Sequence, residues 1–75
     1  MLSDSTRFVS HQAQLEAFER AVATGPTSGN TATFEMNGII GEGYPARGGP
    51  LETTRWVKAY FQNGKPVTVF PVLHP

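Results

Sequence analysis

The segment Gly41-Glu42-Gly43-Tyr44-Pro45-Ala46-Arg47-Gly48-Gly49 brings a carboxylate, a phenol and a guanidinium within six positions. Its glycines permit backbone conformations and close approaches that bulkier residues forbid. A carboxylate beside a guanidinium suits phosphoryl transfer, with Glu42 as general base and Arg47 as phosphate clamp. The plainer structural reading is a flexible connector in which Glu42 and Arg47 form a surface ion pair. The segment lacks both Gly-Lys-Ser/Thr and Gly-x-Gly-x-x-Gly spacing, so it is not a nucleotide-binding loop of those kinds. His11 is a second group able to accept a proton, although a histidine at a helix start is most often a plain surface residue. His11 and His74 stand 63 positions apart with no carboxylate motif beside either, which argues against a metal site. Thr54 and Lys58 lie four apart and are expected on one strand face. A lysine inside an aromatic face is an unusual choice for a plain core.

Charge is balanced in sum and uneven in place. Six Lys/Arg offset six Asp/Glu, so bulk attraction to nucleic acid or an anionic membrane is not written into the composition. Residues 1–42 hold two cations against five carboxylates, and residues 43–75 hold four cations against one. The basic half also carries Trp56, Tyr60 and Tyr44, a combination that suits holding a single-stranded backbone and stacking its bases; the plainer reading is that its four cations are solvated edge residues. Cysteine is absent, which removes disulfides, Cys-ligated zinc and thiol catalysis together. With 39% hydrophobic and 16% charged residues, the chain is neither a disordered tail nor a coiled coil. Apolar runs reach two or three residues, so no membrane anchor and no signal-peptide core are expected. Seventy-five residues make one domain, residues 1–75. A core this small suits a chain excised from a longer one or one that lives with a partner, and equally an ordinary small domain of marginal stability.

These residues must be positioned by few elements. Ser10 offers an N-cap, helix formers run from His11 to Thr24, and Gly25-Pro26 ends them. Leu15, Phe18 and Val22 supply the expected apolar stripe. Thr31 to Met36 alternates as a half-buried strand. Asn37-Gly38 signals a tight turn to a second strand at Ile39-Ile40, and residues 41–50 are expected as a loop. Thr53 to Phe61 and Val67 to Val72 read as a closing hairpin around Gln62-Asn63-Gly64.

Hairpin register decides what the sheet presents. A two-residue Asn63-Gly64 turn sets Val57 opposite Phe70. A three-residue turn sets Val57 opposite Val69 and Ala59 opposite Val67, and it is the expected one because it sorts the faces better. One face is then Val57, Ala59, Phe61, Val67 and Val69, against which the helix packs. The other is Thr54, Trp56, Lys58, Tyr60, Thr68 and Phe70, which nothing in the chain covers. The expected fold class is α+β: one N-terminal helix on a four-stranded antiparallel sheet with the opposite face open.

The helix after Arg7-Phe8-Val9-Ser10, then Gly41-Glu42-Gly43-Tyr44, Gly48-Gly49, Thr53-Thr54, Asn63-Gly64-Lys65 and Val69-Phe70-Pro71, resembles C-terminal toxin domains of bacterial polymorphic secretion systems. These include contact-dependent inhibition and Rhs-type effectors, within the superfamily that groups barnase, EndoU, colicin tRNases and RelE. The resemblance covers nearly the whole chain in architecture through diffuse motifs. It implies a metal-independent ribonuclease without cofactor, often directed at tRNA and paired with a cognate immunity protein. It further implies a monomer outside that complex, delivered into a target-cell cytoplasm. By residue type, Glu42 or His11 would take the ribose 2′-hydroxyl proton. Arg47 and Lys58 would stabilise charge on the phosphate, and Thr54 would bond a non-bridging oxygen. Tyr44, Trp56 or Tyr60 would stack a base, with Arg55 beside them on the substrate side. The neutral net charge departs from the basic balance common in such nucleases and favours a selective substrate. A non-catalytic module that binds a protein through the open sheet face is the alternative. A nucleic-acid binder without chemistry is a third reading.

Overall fold

Residues 4–75 are described by a computed structural model. The chain runs β1 (Ser5–Phe8), α1 (His11–Thr24), β2 (Thr31–Glu35), β3 (Gly41–Tyr44), β4 (Glu52–Thr54), β5 (Trp56–Gln62) and β6 (Lys65–Val72). The class is α+β, but the expected four-stranded sheet is replaced by two three-stranded antiparallel sheets, β1-β3-β4 and β2-β5-β6.

The helix begins and ends as its sequence requires. Ser10 is extended, its side chain accepts a bond from the Ala13 amide at 3.0 Å, and Gly25 closes the last turn with φ 72°. The buried stripe is a different one from that expected. Ala13, Ala17 and Ala21 face the sheet, whereas Leu15, Phe18 and Val22 are 47%, 43% and 58% exposed. At 3.6 residues per turn the two stripes lie roughly 130° apart. The reason is distance. Phe34 and Phe61 already fill the space above the sheet, so only methyl-sized side chains let the helix approach.

Ile39-Ile40 does not pair with β2. The expected turn at Asn37-Gly38 is instead part of a crossing between sheets, and β2 pairs with β5, from Thr31 opposite Tyr60 to Glu35 opposite Trp56. Ile40 is buried in the core and bonds through its amide to the Thr54 carbonyl at 3.0 Å. The first half of the expected glycine loop is a strand, β3, between β1 and β4. A Cβ on Gly41 would collide with the Pro71 ring, and one on Gly43 would collide with the Ser5 carbonyl. The glycines serve close approach here. Farther on, Gly48 and Gly49 take φ 89° and 116°, and the loop is real.

The expected strand from Thr53 to Phe61 breaks at Arg55, where the chain changes partners. The Thr54 carbonyl accepts from Ile40 beside β3, and the Arg55 carbonyl accepts from Met36 beside β2. Thr54 and Val57 are both buried, with Arg55 and Trp56 between them. Thr54 therefore faces inward and Lys58 outward, and the expected shared face is corrected.

The hairpin turn has two residues. Asn63 (φ 55°) and Gly64 (φ 80°) are both left-handed, and Gln62 stands opposite Lys65, the geometry that Asn-Gly favours between twisted strands. The expected three-residue turn is thus overturned. A bulge after Tyr60 then inserts one residue in β6, so Ala59 meets Val69, Lys58 meets Phe70 and Val57 meets Pro71. One extra residue restores the parity that the turn removed. Val57, Ala59 and Phe61 therefore do face the helix, while Val67, the inserted residue, is exposed. Five of the nine clustered core residues are alanine, which makes a thin core for a chain of this size.

Candidate functional site

Alternation along β1 and β3 brings Arg7, Glu42 and Tyr44 to the outer side of the first sheet. The inner side is taken up by structure. Thr6 donates its hydroxyl to the Pro71 carbonyl at 2.9 Å, and Thr54 donates to the Val72 carbonyl at 2.6 Å. On the outer side the Arg7 Nε and Nη2 both donate to Glu42 Oε2, at 2.9 and 2.7 Å. Convergence on one oxygen leaves Oε1 for another donor. The Glu42 side chain is 19% exposed and that of Arg7 is 79% exposed. A cleft of about 350 Å³ opens here, lined by Ser5, Thr6, Arg7, Glu42, Gly43, Tyr44 and Leu51.

The second surface is the helix-free side of β2-β5-β6. Cross-strand pairing sets three rows on it: Glu35, Trp56 and Val72; Thr33, Lys58 and Phe70; Thr31, Tyr60 and Thr68. Tyr60 and Phe70 stack with centroids 5.9 Å apart and planes at 22°, and Lys58 Nζ lies 5.3 Å from the Tyr60 ring centre. Arg55 sits at the rim with its guanidinium 3.1 Å from Glu35. The surface offers aromatic rings and one central cation.

The remaining candidates lie apart from these two. Arg47 faces Glu52 at 3.8 Å, not Glu42, and His74 Nε2 approaches the other oxygen of Glu52 at 3.2 Å. Thr54 is 6% exposed, and its hydroxyl also accepts the Trp56 amide at 3.0 Å, so it holds the corner between β4 and β5. His11 is exposed at the first helical position. Of the five residues expected to be catalytic, Glu42 and Lys58 thus head separate surfaces. Arg7 is the partner that spacing could not suggest, because it stands 35 positions from Glu42 and joins it only through β1-β3 pairing. Asp4 was likewise missed: its carboxylate accepts the Ala46 amide at 2.7 Å and ties down the loop after β3.

No group of three or more His, Cys, Asp or Glu among the described residues is placed to hold a metal ion. No helix among them is long and apolar enough to cross a membrane. Comparisons with protein-family models, curated proteins and solved structures gave no match.

Proposed function

We propose that the protein is a metal-independent endoribonuclease in which the first sheet does the chemistry and the second holds the strand. The observation that supports this reading is the Arg7–Glu42 pair in the open cleft, with one carboxylate oxygen left uncommitted. Glu42 takes the proton of a ribose 2′-hydroxyl as its oxygen attacks the adjacent phosphorus. Arg7, which has an amino group beyond those bonded to Glu42, binds the non-bridging oxygens. The P–O5′ bond breaks, and the Tyr44 hydroxyl on the same wall protonates the departing 5′-oxygen. The products are a 2′,3′-cyclic phosphate and a 5′-hydroxyl, and water restores both proton carriers. Lys58, Trp56 and Tyr60 hold unpaired nucleotides next to the scissile bond. In this scheme Arg47, Arg55 and Thr54 position structure, and His11 carries no step.

The wider reading is a toxin domain delivered into a target cell, directed at tRNA and checked by a cognate immunity protein. Zero net charge supports a selective substrate over sequence-blind RNA binding. The test is incubation with total bacterial RNA in EDTA, with products resolved on a denaturing gel and their ends identified. Discrete fragments ending in cyclic phosphate are expected, and RNA intact at high protein concentration would reject the scheme. A second reading, a non-catalytic module for a protein partner, draws on the open aromatic face, where Tyr60 is 41% exposed. It requires that Glu42→Gln and Lys58→Met leave function intact.

A further inference from the structure

Two apolar surfaces of this molecule lie uncovered on opposite sides of the same helix-on-sheet body. One is the helix ridge of Leu15, Phe18 and Val22, each more than two-fifths exposed. The other is the helix-free sheet side, where Tyr60 is exposed and Trp56 and Phe70 are half-buried. Their unpaired charges are opposite in sign. Glu19 rises from the helix beside the ridge and Glu16 stands further round the same flank, and among the described residues neither has a cation partner, Glu16 accepting only a bond from Gln12 at 3.0 Å. Lys58 and Lys65 have no carboxylate partner among the described residues. Both belong to the open side, because Lys65 stands opposite Gln62, two positions from Tyr60. Arg20, the one Lys or Arg on the helix, is half-buried one turn beyond Glu16, on the side away from the ridge.

From this complementarity we infer that the outer ridge of α1 docks on the open β2-β5-β6 face of a second copy of the chain. A helix laid on the open side would bury it as α1 buries the other, and one copy supplies only one helix. The Cα envelope of 37 × 29 × 16 Å is thin along one axis, as expected of a single helix layer on a single sheet layer. The contact is heterologous, ridge to face, so it propagates to further copies or closes as a ring. Glu19, with Glu16 behind it, comes to lie near Lys58 and Lys65 of the next copy, which fixes the direction of stacking. At low concentration the chain is a monomer. The docking occupies the face assigned above to RNA, so the assembled form withholds that face, yet the association itself does not depend on the ribonuclease reading.

Sedimentation velocity of the full chain without RNA, from about 10 μM to about 1 mM, tests it. The weight-average mass is expected at least to double from 8.1 kDa and to fall back in high salt. Glu16→Lys/Glu19→Lys and Lys58→Glu/Lys65→Glu, each checked for retained fold by circular dichroism, are each expected to stay monomeric alone. Mixed in equal amounts, they are expected to associate again, because each helix then meets a sheet of opposite charge. A monomer at every concentration would overturn the inference. So would association that the charge reversals leave unchanged.

Discussion

In β2-β5-β6 the order comes from side-chain alternation, whereas in β1-β3-β4 it comes from how closely backbones approach. The first of these sheets buries Ala32, Phe34, Val57, Ala59 and Phe61 on one side and shows aromatics and a lysine on the other. Its strands therefore announce themselves in the sequence. The other sheet has glycine where its central strand faces inward, at Gly41 and Gly43. Its inner side is held by Thr6 and Thr54 hydroxyls bonded to the last carbonyls of β6. One sheet supplies most of the core, and the other supplies the cleft wall that presents Arg7, Glu42 and Tyr44. The contrast teaches that the polar groups of the proposed site stand where few large side chains are spent on packing.

Substitutions that damage one sheet and spare the other would sharpen this contrast. Phe61, 6% exposed in the core, should be the most costly. Phe61→Ala is expected to lose about 3–5 kcal/mol in denaturant unfolding, enough to unfold a small domain. Gly41→Ala forces a methyl into the Pro71 ring and should cost about 1–3 kcal/mol by the same measurement. Thr54→Val removes the hydroxyl that bonds Val72 and leaves the Trp56 amide without its acceptor. It should cost about 1–2 kcal/mol and loosen the corner between the sheets, seen as faster amide exchange at Trp56. Leu15→Gln, on the exposed ridge, should change stability by less than about 0.5 kcal/mol. A large loss at a concentration where the chain is monomeric would mean that the ridge is packed within the chain after all.

What was legible in the sequence follows the same division. Helix α1 could be bounded to the residue, because Ser10 and Gly25 are capping types in capping places. The open aromatic face was also readable, since alternation along β5 survives a change of turn type once the bulge compensates. The helix face was not. Alanine carries little hydrophobic signal, so Leu15, Phe18 and Val22 outweighed Ala13, Ala17 and Ala21 in any periodicity argument. Strand β3 was hidden because Gly-x-Gly is a loop signal unless a neighbour demands close approach, and that neighbour, Pro71, is 30 positions from Gly41. The candidate site was half visible. Glu42, Tyr44, Lys58, Trp56 and Tyr60 announce themselves by type, while the Arg7–Glu42 bond depends on β1, whose four residues carry no strong pattern.

The central claim is the division of labour between the two sheets, and one comparison tests it most directly. Cleavage of RNA in EDTA would be followed as a function of RNA concentration for the wild type, Glu42→Gln and Lys58→Gln, each shown to be folded. The division predicts that Glu42→Gln lowers kcat by about 100-fold or more, with little change in the concentration for half-maximal rate. Lys58→Gln should instead raise that concentration while leaving kcat within a few-fold of the wild type. Equal kcat for Glu42→Gln and the wild type, or loss of kcat in Lys58→Gln alone, would contradict the claim.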